Sequence, residues 1–430
     1  MSYKVHARVP SDGELDALAG VPAADGSNPL VTLHDRRLVA NGGVAGAIAS
    51  ASVFGSGRDG NLVFNGSAVT GFTLTGTAYV RNLKYDLHAR SITVSDGYSI
   101  DMVGTRLRAF VGTLGNDVRI HNDASYCDIY ASTNYAIAST ALPCENINTS
   151  TGAIFHGGNG GQLPNIPTTD NNAGAGSSRS GSVRGLMVGG GSYPGGRISQ
   201  VAGLAAAAVN PTVTYRMTGL SSHCYGDLFE MVLGPFPYAR NGSSILALSG
   251  GMGGGRGYYG TTSGDSTASP SGAGGGGVIG IAIKDLSCGS GCIFSANGGS
   301  CADAFSTSIS AASPAMIGGA SGGGGGAIAV LIGQITGDYL PTIEAKGGNG
   351  GAGAFTLGTV TNTDTYLSDG GSGGDGGKAM LYIGFNLVGG TPTIDVSGGV
   401  KGTSQAGATP TYSSINVDGS AGIYHYYQAA

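Results

Sequence analysis

The chain has 430 residues, 83 of them glycine, no tryptophan and a formal net charge of -5. Charged residues make up 11%, well under the ~25% of an ordinary globular chain. The 21 Lys and Arg form no basic stripe, which argues against nucleic acid as a partner. The longest apolar run, Val201–Val209, is far shorter than the ~20 residues that span a bilayer, and the N-terminus lacks the apolar core of a secretory signal. These features predict a soluble protein, synthesised in a cytoplasm and able to bury a core.

Residues 1–57 read as an extended head, rich in Gly, Pro and Asp turns, and are expected to serve as an attachment or linker region. From 58 to 150 the text changes to short β-branched or aromatic runs such as "NLVF", "GFTLTG", "AYVRNL", "SITVSDG" and "DVRIHND", each closed by Gly, Asn or Asp. That spacing predicts many short strands with tight turns, as in a sandwich, a barrel or a β-helix. Residues 151–240 are less regular and read as β structure with loops.

Residues 241–430 form an internal repeat of about fifty residues. "GGGGVIGIAI", "GGGGGAIAVLI" and "GGDGGKAMLYI" are each followed by a second strand, at Ile293, Ile343 and Ile394, and then by further glycines. "SILALSGGMGGG" fits as the end of a preceding copy, through Ile245. Near-continuous apolar strands of this kind are buried on both faces. The glycine tracts themselves are expected to run as three-residue-per-turn extended helices that hydrogen-bond to one another, because a buried unpaired backbone group is costly. The fold class is therefore all-β: elongated, β-helix-like or stacked strand repeats with packed polyglycine-II-type tracts.

Other chemistries fail on particular residues. A phosphate loop ending in Lys378 needs Gly at 372 and Ser or Thr at 379, where Ser372 and Ala379 stand. "GGSGGD" (Gly370–Asp375) begins a calcium-binding nonapeptide, but Gly377 replaces the apolar residue that completes it. The cysteines at 127, 144, 224, 288, 292 and 301 include no C-x2-C pair, so Cys288, Cys292 and Cys301 are expected as buried thiols or one local bridge. Asp227 and Glu230, near His223, are the closest approach to a carboxylate pair, and residues three apart on a strand point to opposite faces. No enzyme, metal site or cofactor is expected.

Two stretches resemble known proteins. "GSNPLVTLHDRRL" (Gly26–Leu38) resembles a signature near the N-termini of tailed-phage fibre and spike proteins, matching at Asn28, Val31, Thr32, Asp35, Arg37 and Leu38 and departing at Leu30 and Arg36. "YVRNLKYDLHARSITVSDGYSIDMVGTRL" is similar to the β-helical lead-in of many phage structural proteins. In layout, the part from Asn241 onward resembles the glycine-rich adhesins at the tips of T-even-like phage tail fibres, though strand pairs here separate the tracts. The resemblance implies a virion surface protein, a homotrimeric tail fibre or spike adhesin. It also implies attachment to other virion proteins through Asn28, Val31, Thr32, Asp35 and Arg37. Alternatives are a capsid decoration protein or head fibre, and a polysaccharide-cleaving tailspike.

Four inserts separate the tracts, within residues 256–272, 300–316, 354–369 and 400–419. They are rich in Ser and Thr and carry aromatics, a chemistry suited to sugars or outer-membrane protein loops. The candidate receptor-binding residues are Tyr258, Tyr259, Phe355, Tyr366 and Tyr412.

Overall fold

The computed structural model describes residues 53–124 (less 84–85), 186–196 (less 188 and 194), 232–233, 238–261 (less 242–243, 252–253 and 255–258), 272–304, 315–356, 367–408 and 414–428 (less 415). Within them only 53–54 and 232–233 are helical, and the fold is all-β. In chain order come β1 (Asn61–Phe64), β2 (Phe72–Thr75), β3 (Ala78–Arg81), β4 (Leu87–Val94), β5 (Ser99–Asp101), β6 (Leu107–Leu114) and β7 (Arg119–His121). Next are β8 (Leu186–Met187), β9 (Tyr238–Asn241), β10 (Ser244–Ser249) and β11 (Tyr259–Thr261). The last half holds β12 (Val278–Cys288), β13 (Ile293–Ser295), β14 (Ala315–Ile317), β15 (Ala327–Ile335), β16 (Thr342–Glu344), β17 (Ala354–Thr356) and β18 (Leu367–Ser368). It closes with β19 (Lys378–Asn386), β20 (Ile394–Asp395), β21 (Gln405–Ala406) and β22 (Ile423–Gln428).

Two seven-stranded sheets dominate. The first runs β1-β4-β6-β12-β15-β19-β22 and the second β2-β3-β5-β7-β13-β16-β20. Apart from the β2–β3 hairpin every pairing in them is parallel. From β3 on, successive strands of these two sheets alternate between them, so each turn of chain from β4 to β20 adds one strand to each. The parallel pairing is possible because each crossover passes through the opposite sheet or an excursion beyond it.

The core lies between the sheets and includes Phe64, Tyr79, Ile92, Ile100, Ile281, Phe294, Ile332, Ile343 and Leu381. Phe64 stands edge-on to Phe72 and Tyr79 at 5.0 and 4.9 Å. β12 reads as a continuous apolar run because both its faces are covered. Ile279, Ile281 and Ile283 enter the main core, while Val278 and Ala282 pack outward with Val232, Leu233 and Met380.

Residues 61–121 share these sheets with the glycine repeats: β6 pairs with β12, and β7 with β13. The second-strand register also differs by one from the repeat alignment. Phe294, not Ile293, pairs with Ile343, which pairs with Ile394. Side chains alternate along a strand, and Phe294 is the residue facing the core, so a one-step slip would expose it. Ile245 lies in β10, which pairs with β8 and β9 in a separate small sheet, not as a preceding copy of β13.

The segment before β1 is held by charged and polar side chains. Arg108 Nη1 donates to the Val53 carbonyl at 2.7 Å and its Nη2 to that of Leu233 at 2.6 Å. Burial lowers the Arg108 pKa to about 10, which leaves it a cation at neutral pH. The Ser56 N–H donates to His88 Nδ1 at 3.2 Å. Burial, then the nearby Arg58 and Arg108 charges, lowers the His88 pKa from 6.5 to about 4. The unfolded chain thus takes up a proton below pH 6.5 that the folded chain refuses until about pH 4, so His88 removes stability as pH falls through that window. Thermal melts from pH 7 to pH 4 are expected to show a falling midpoint, and His88→Gln is expected to flatten the curve.

Candidate functional site

The glycine tracts continue the two sheets. Residues 272–277, 318–326, 369–377 and 414–422 lead directly into β12, β15, β19 and β22. Residues 296–304, 345–353 and 396–404 leave β13, β16 and β20. From tracts 189–196 and 250–254, Gly190 and Gly196 donate to the carbonyls of Gly325 and Gly319, and Gly251 and Gly254 to those of Gly276 and Ala273.

Tract 318–326 shows how they pack. Gly319, Gly322 and Gly325 donate to the carbonyls of Asp369, Ser372 and Asp375. Gly323 and Gly326 donate to Gly299 and Ala296. Its own carbonyls accept from Gly190 and Gly196, from Ala273 and Gly276, and from Gly348 and Gly351. Five neighbouring tracts are thus bonded to one strand of glycine, and each neighbour is met at a spacing of three or, for 189–196, a multiple of it. Three residues per turn returns the same donor direction at every third position.

Glycine is required because the neighbours are backbone. A Cβ on Gly323 would sit 1.9 Å from the Gly274 carbonyl oxygen, one on Gly326 1.9 Å from that of Gly277, and one on Gly322 2.0 Å from that of Gly348. Among the described residues, side chains appear where no tract adjoins or where they bridge tracts. On the open face of tract 296–304 the side-chain oxygens of Asn297, Ser300 and Asp303 accept from the N–H groups of Lys346, Asn349 and Ala352 at 2.7, 2.9 and 2.8 Å. Asp369, Ser372 and Asp375, also three apart, face tract 414–422. Ser414 Oγ donates to Asp369 Oδ1 at 2.5 Å, Val417 N to Ser372 Oγ at 3.1 Å and Ser420 N to Asp375 Oδ1 at 2.8 Å.

The chain enters and leaves every insert at the lattice end away from the two large sheets. β11, β14 and β17 pair antiparallel there, and β18 pairs with β21. These pairings gather the flanks of segments 262–271, 305–314, 357–366 and 409–413, which themselves lie outside the described residues. Among the candidate receptor-binding residues, Tyr259 is on β11, level with Ile317 and Ala354. Phe355 is on β17, one step along, level with Met316 and Gly260. Tyr258, Tyr366 and Tyr412 lie outside the described residues, as do Asn28, Val31, Thr32, Asp35 and Arg37 of the attachment signature and His223, Asp227 and Glu230. Sequence reasoning did not single out Asp369, a buried carboxylate at the root of the inserts, which also accepts from Ser404 Oγ at 2.6 Å. Its three-residue spacing from Ser372 and Asp375 was the available signal.

A second polar cluster crosses the sheet–lattice junction. Arg119 Nη2 meets Asp123 at 2.8 Å and Glu344 at 3.4 Å, and Lys346 Nζ meets Glu344 at 2.9 Å. Asn297 Nδ2 also donates to Glu344 at 2.8 Å. Burial raises the pKa of nearby Asp101, whose Oδ1 caps the turn by accepting from the Val103 N–H at 2.9 Å. Val103 there takes a left-handed φ of 48°. Cys288 and Cys292 are free, buried thiols at the β12–β13 turn, and Cys301 is a partly buried cysteine whose Sγ donates to the Ser321 carbonyl at 3.2 Å. A hydrogen bond to Cys292, together with burial, pushes the Cys288 thiol up. Among the described residues, no group of three or more His, Cys, Asp or Glu side chains could hold a metal ion. No family model, curated protein or solved structure matches the chain.

Proposed function

We propose that this protein is a surface adhesin of a tailed-phage virion. In this reading the two sheets form a β-helix-like stack, the tracts a polyglycine-II-type lattice, and the inserts the surface that meets host polysaccharide or outer-membrane protein. The observation that carries the proposal is the convergence of all four insert flanks on one end of the lattice. A scaffold that brings the roots of several Ser/Thr-rich, aromatic-bearing segments to one end, on hydrogen-bonded backbone, has the division of labour of a recognition surface. The resemblance of the Gly26–Leu38 stretch to phage attachment signatures supports the virion setting. No catalytic step is proposed: Glu344 and Asp123 are both engaged by cations at the junction.

The test replaces segments 305–314 and 357–366 by short Gly-Asn turns, singly and together. The flanking pairings are backbone-to-backbone, so melting midpoints are expected to stay within a few degrees of the parent. Binding to host cells, read by pull-down and by competition with phage adsorption, is expected to fall at least tenfold in the double variant. A double variant that folds and still blocks adsorption as well as the parent would overturn the adhesin reading.

A further inference from the structure

Among the described residues the two-sheet stack ends on β22. Among the described residues β22 has one neighbour, β19, and no strand of the second sheet follows β20 to cover it. The register sets Tyr424 and Tyr426 level with the core residues Ala379 and Leu381, yet Tyr424 is 53% exposed where Ala379 is 2%. Ile423 and Tyr427 on β22, and Phe385 and Leu387 at the end of β19 and the turn after it, are also well exposed. Among the described residues, most of the exposed large apolar side chains therefore lie from β19 onward.

The sequence of β22, "IYHYYQ", contains no Lys, Arg, Asp, Glu or Pro. Natural edge strands are normally protected by such residues, or by being short, because an open row of N–H and C=O groups recruits another strand. The Ile423 N–H donates to the Gly377 carbonyl, toward β19. Alternation then turns the N–H and C=O of Tyr424, Tyr426 and Gln428 to the open edge.

We infer that β22 pairs antiparallel with β22 of a second copy of this chain, joining two first sheets into one across a two-fold axis. Three observations select this occupant. The strand is neutral, so a copy brings no like charges opposite one another, and antiparallel pairing sets tyrosines across from aromatic neighbours, a favourable cross-strand arrangement. Ile423, Tyr424 and Tyr427 are exposed along the strand itself, so a copy paired at the open edge brings apolar side chains beside apolar side chains. Self-pairing also closes, whereas pairing β22 with β1 of the next copy would be head-to-tail and open-ended.

The experiment is native mass spectrometry and sedimentation of the full chain from about 1 to 100 µM, beside Tyr426→Pro. Proline at 426 removes an N–H on the open edge and leaves the β19 ladder intact, because the N–H of Ile423, His425 and Tyr427 face β19. A second variant, Tyr424→Lys, puts a charge on the open face of the last turn. The wild-type mass is expected to be twice that of both variants, whether the smaller unit is one chain or a trimer, with melting midpoints unchanged when each is compared at low concentration. Equal masses for wild type and variants would overturn the inference. So would a wild-type series of masses that keeps growing with concentration, the mark of head-to-tail pairing.

Discussion

Gly323→Ala is expected to cost the protein its folded state under conditions where the parent is stable. The methyl group would lie 1.9 Å from the Gly274 carbonyl oxygen, a distance no Cβ contact survives. Overpacking a core of side chains typically costs ~1–3 kcal/mol because side chains rotate away. Here the obstacle is a main chain that is itself hydrogen-bonded: Gly323 donates to Gly299, Gly299 to Gly274, and Gly348 to Gly323. Making room means parting several tracts at once, so the expected loss is at least ~3 kcal/mol, read as insoluble expression or a large fall in melting midpoint. Ala352→Ser is the companion variant, at a third position on the outer face of tract 345–353 where the side chain is partly exposed. It is expected to change stability by less than ~0.5 kcal/mol. A soluble Gly323→Ala protein with parental melting would mean that the tract is loop and not lattice.

Phe294→Ala is expected to destabilise by ~3–5 kcal/mol and Ile293→Ala by under ~1.5 kcal/mol, measured by chemical denaturation. Phe294 is fully buried between the sheets, level with Ile120 and Ile343, while its neighbour Ile293 is partly exposed. The pair separates two registers, since aligning the repeats on Ile293 makes that residue the buried one. Equal effects, or a larger effect at Ile293, would show that β13 is displaced by one residue.

The same pair marks where sequence reading stopped. The repeat of about fifty residues was visible because each copy places glycine next to an apolar run, and a run such as "VIGIAI" announces burial on both faces. The exact partner of Ile343 was not visible, because Ile and Phe are equally apolar and a one-residue offset leaves the pattern looking the same. The unity of residues 61–121 with the repeats was hidden for a different reason. There the chain passes from Leu87 to its partner Leu107 in twenty residues, whereas Asn349 and Val400 of neighbouring tracts are 51 apart. Each later turn carries a glycine excursion and an insert, so similar coils recur at different intervals. The packing of the tracts could be anticipated from backbone demand, but their neighbours could not, because glycine carries no side chain to specify one. The candidate site was legible as a place in the chain order. The convergence of the insert roots depends on β11–β14–β17 and β18–β21, strands of two or three residues with no pattern of their own.

The three-residue period has a consequence for how the molecule comes together. A glycine tract that slides three places along its neighbours recovers nearly the same set of bonds, so the lattice by itself is degenerate in phase. The strands anchor it: Lys378 pairs with Ala327, and Ile423 with Lys378, each just where a tract meets its sheet. Asp369, Ser372 and Asp375 act as detents, since each finds its partner in tract 414–422 at the same offset of 45 residues. The strands therefore set the phase of the glycine lattice, and with it the level at which the roots of the inserts meet, from the opposite end of each tract.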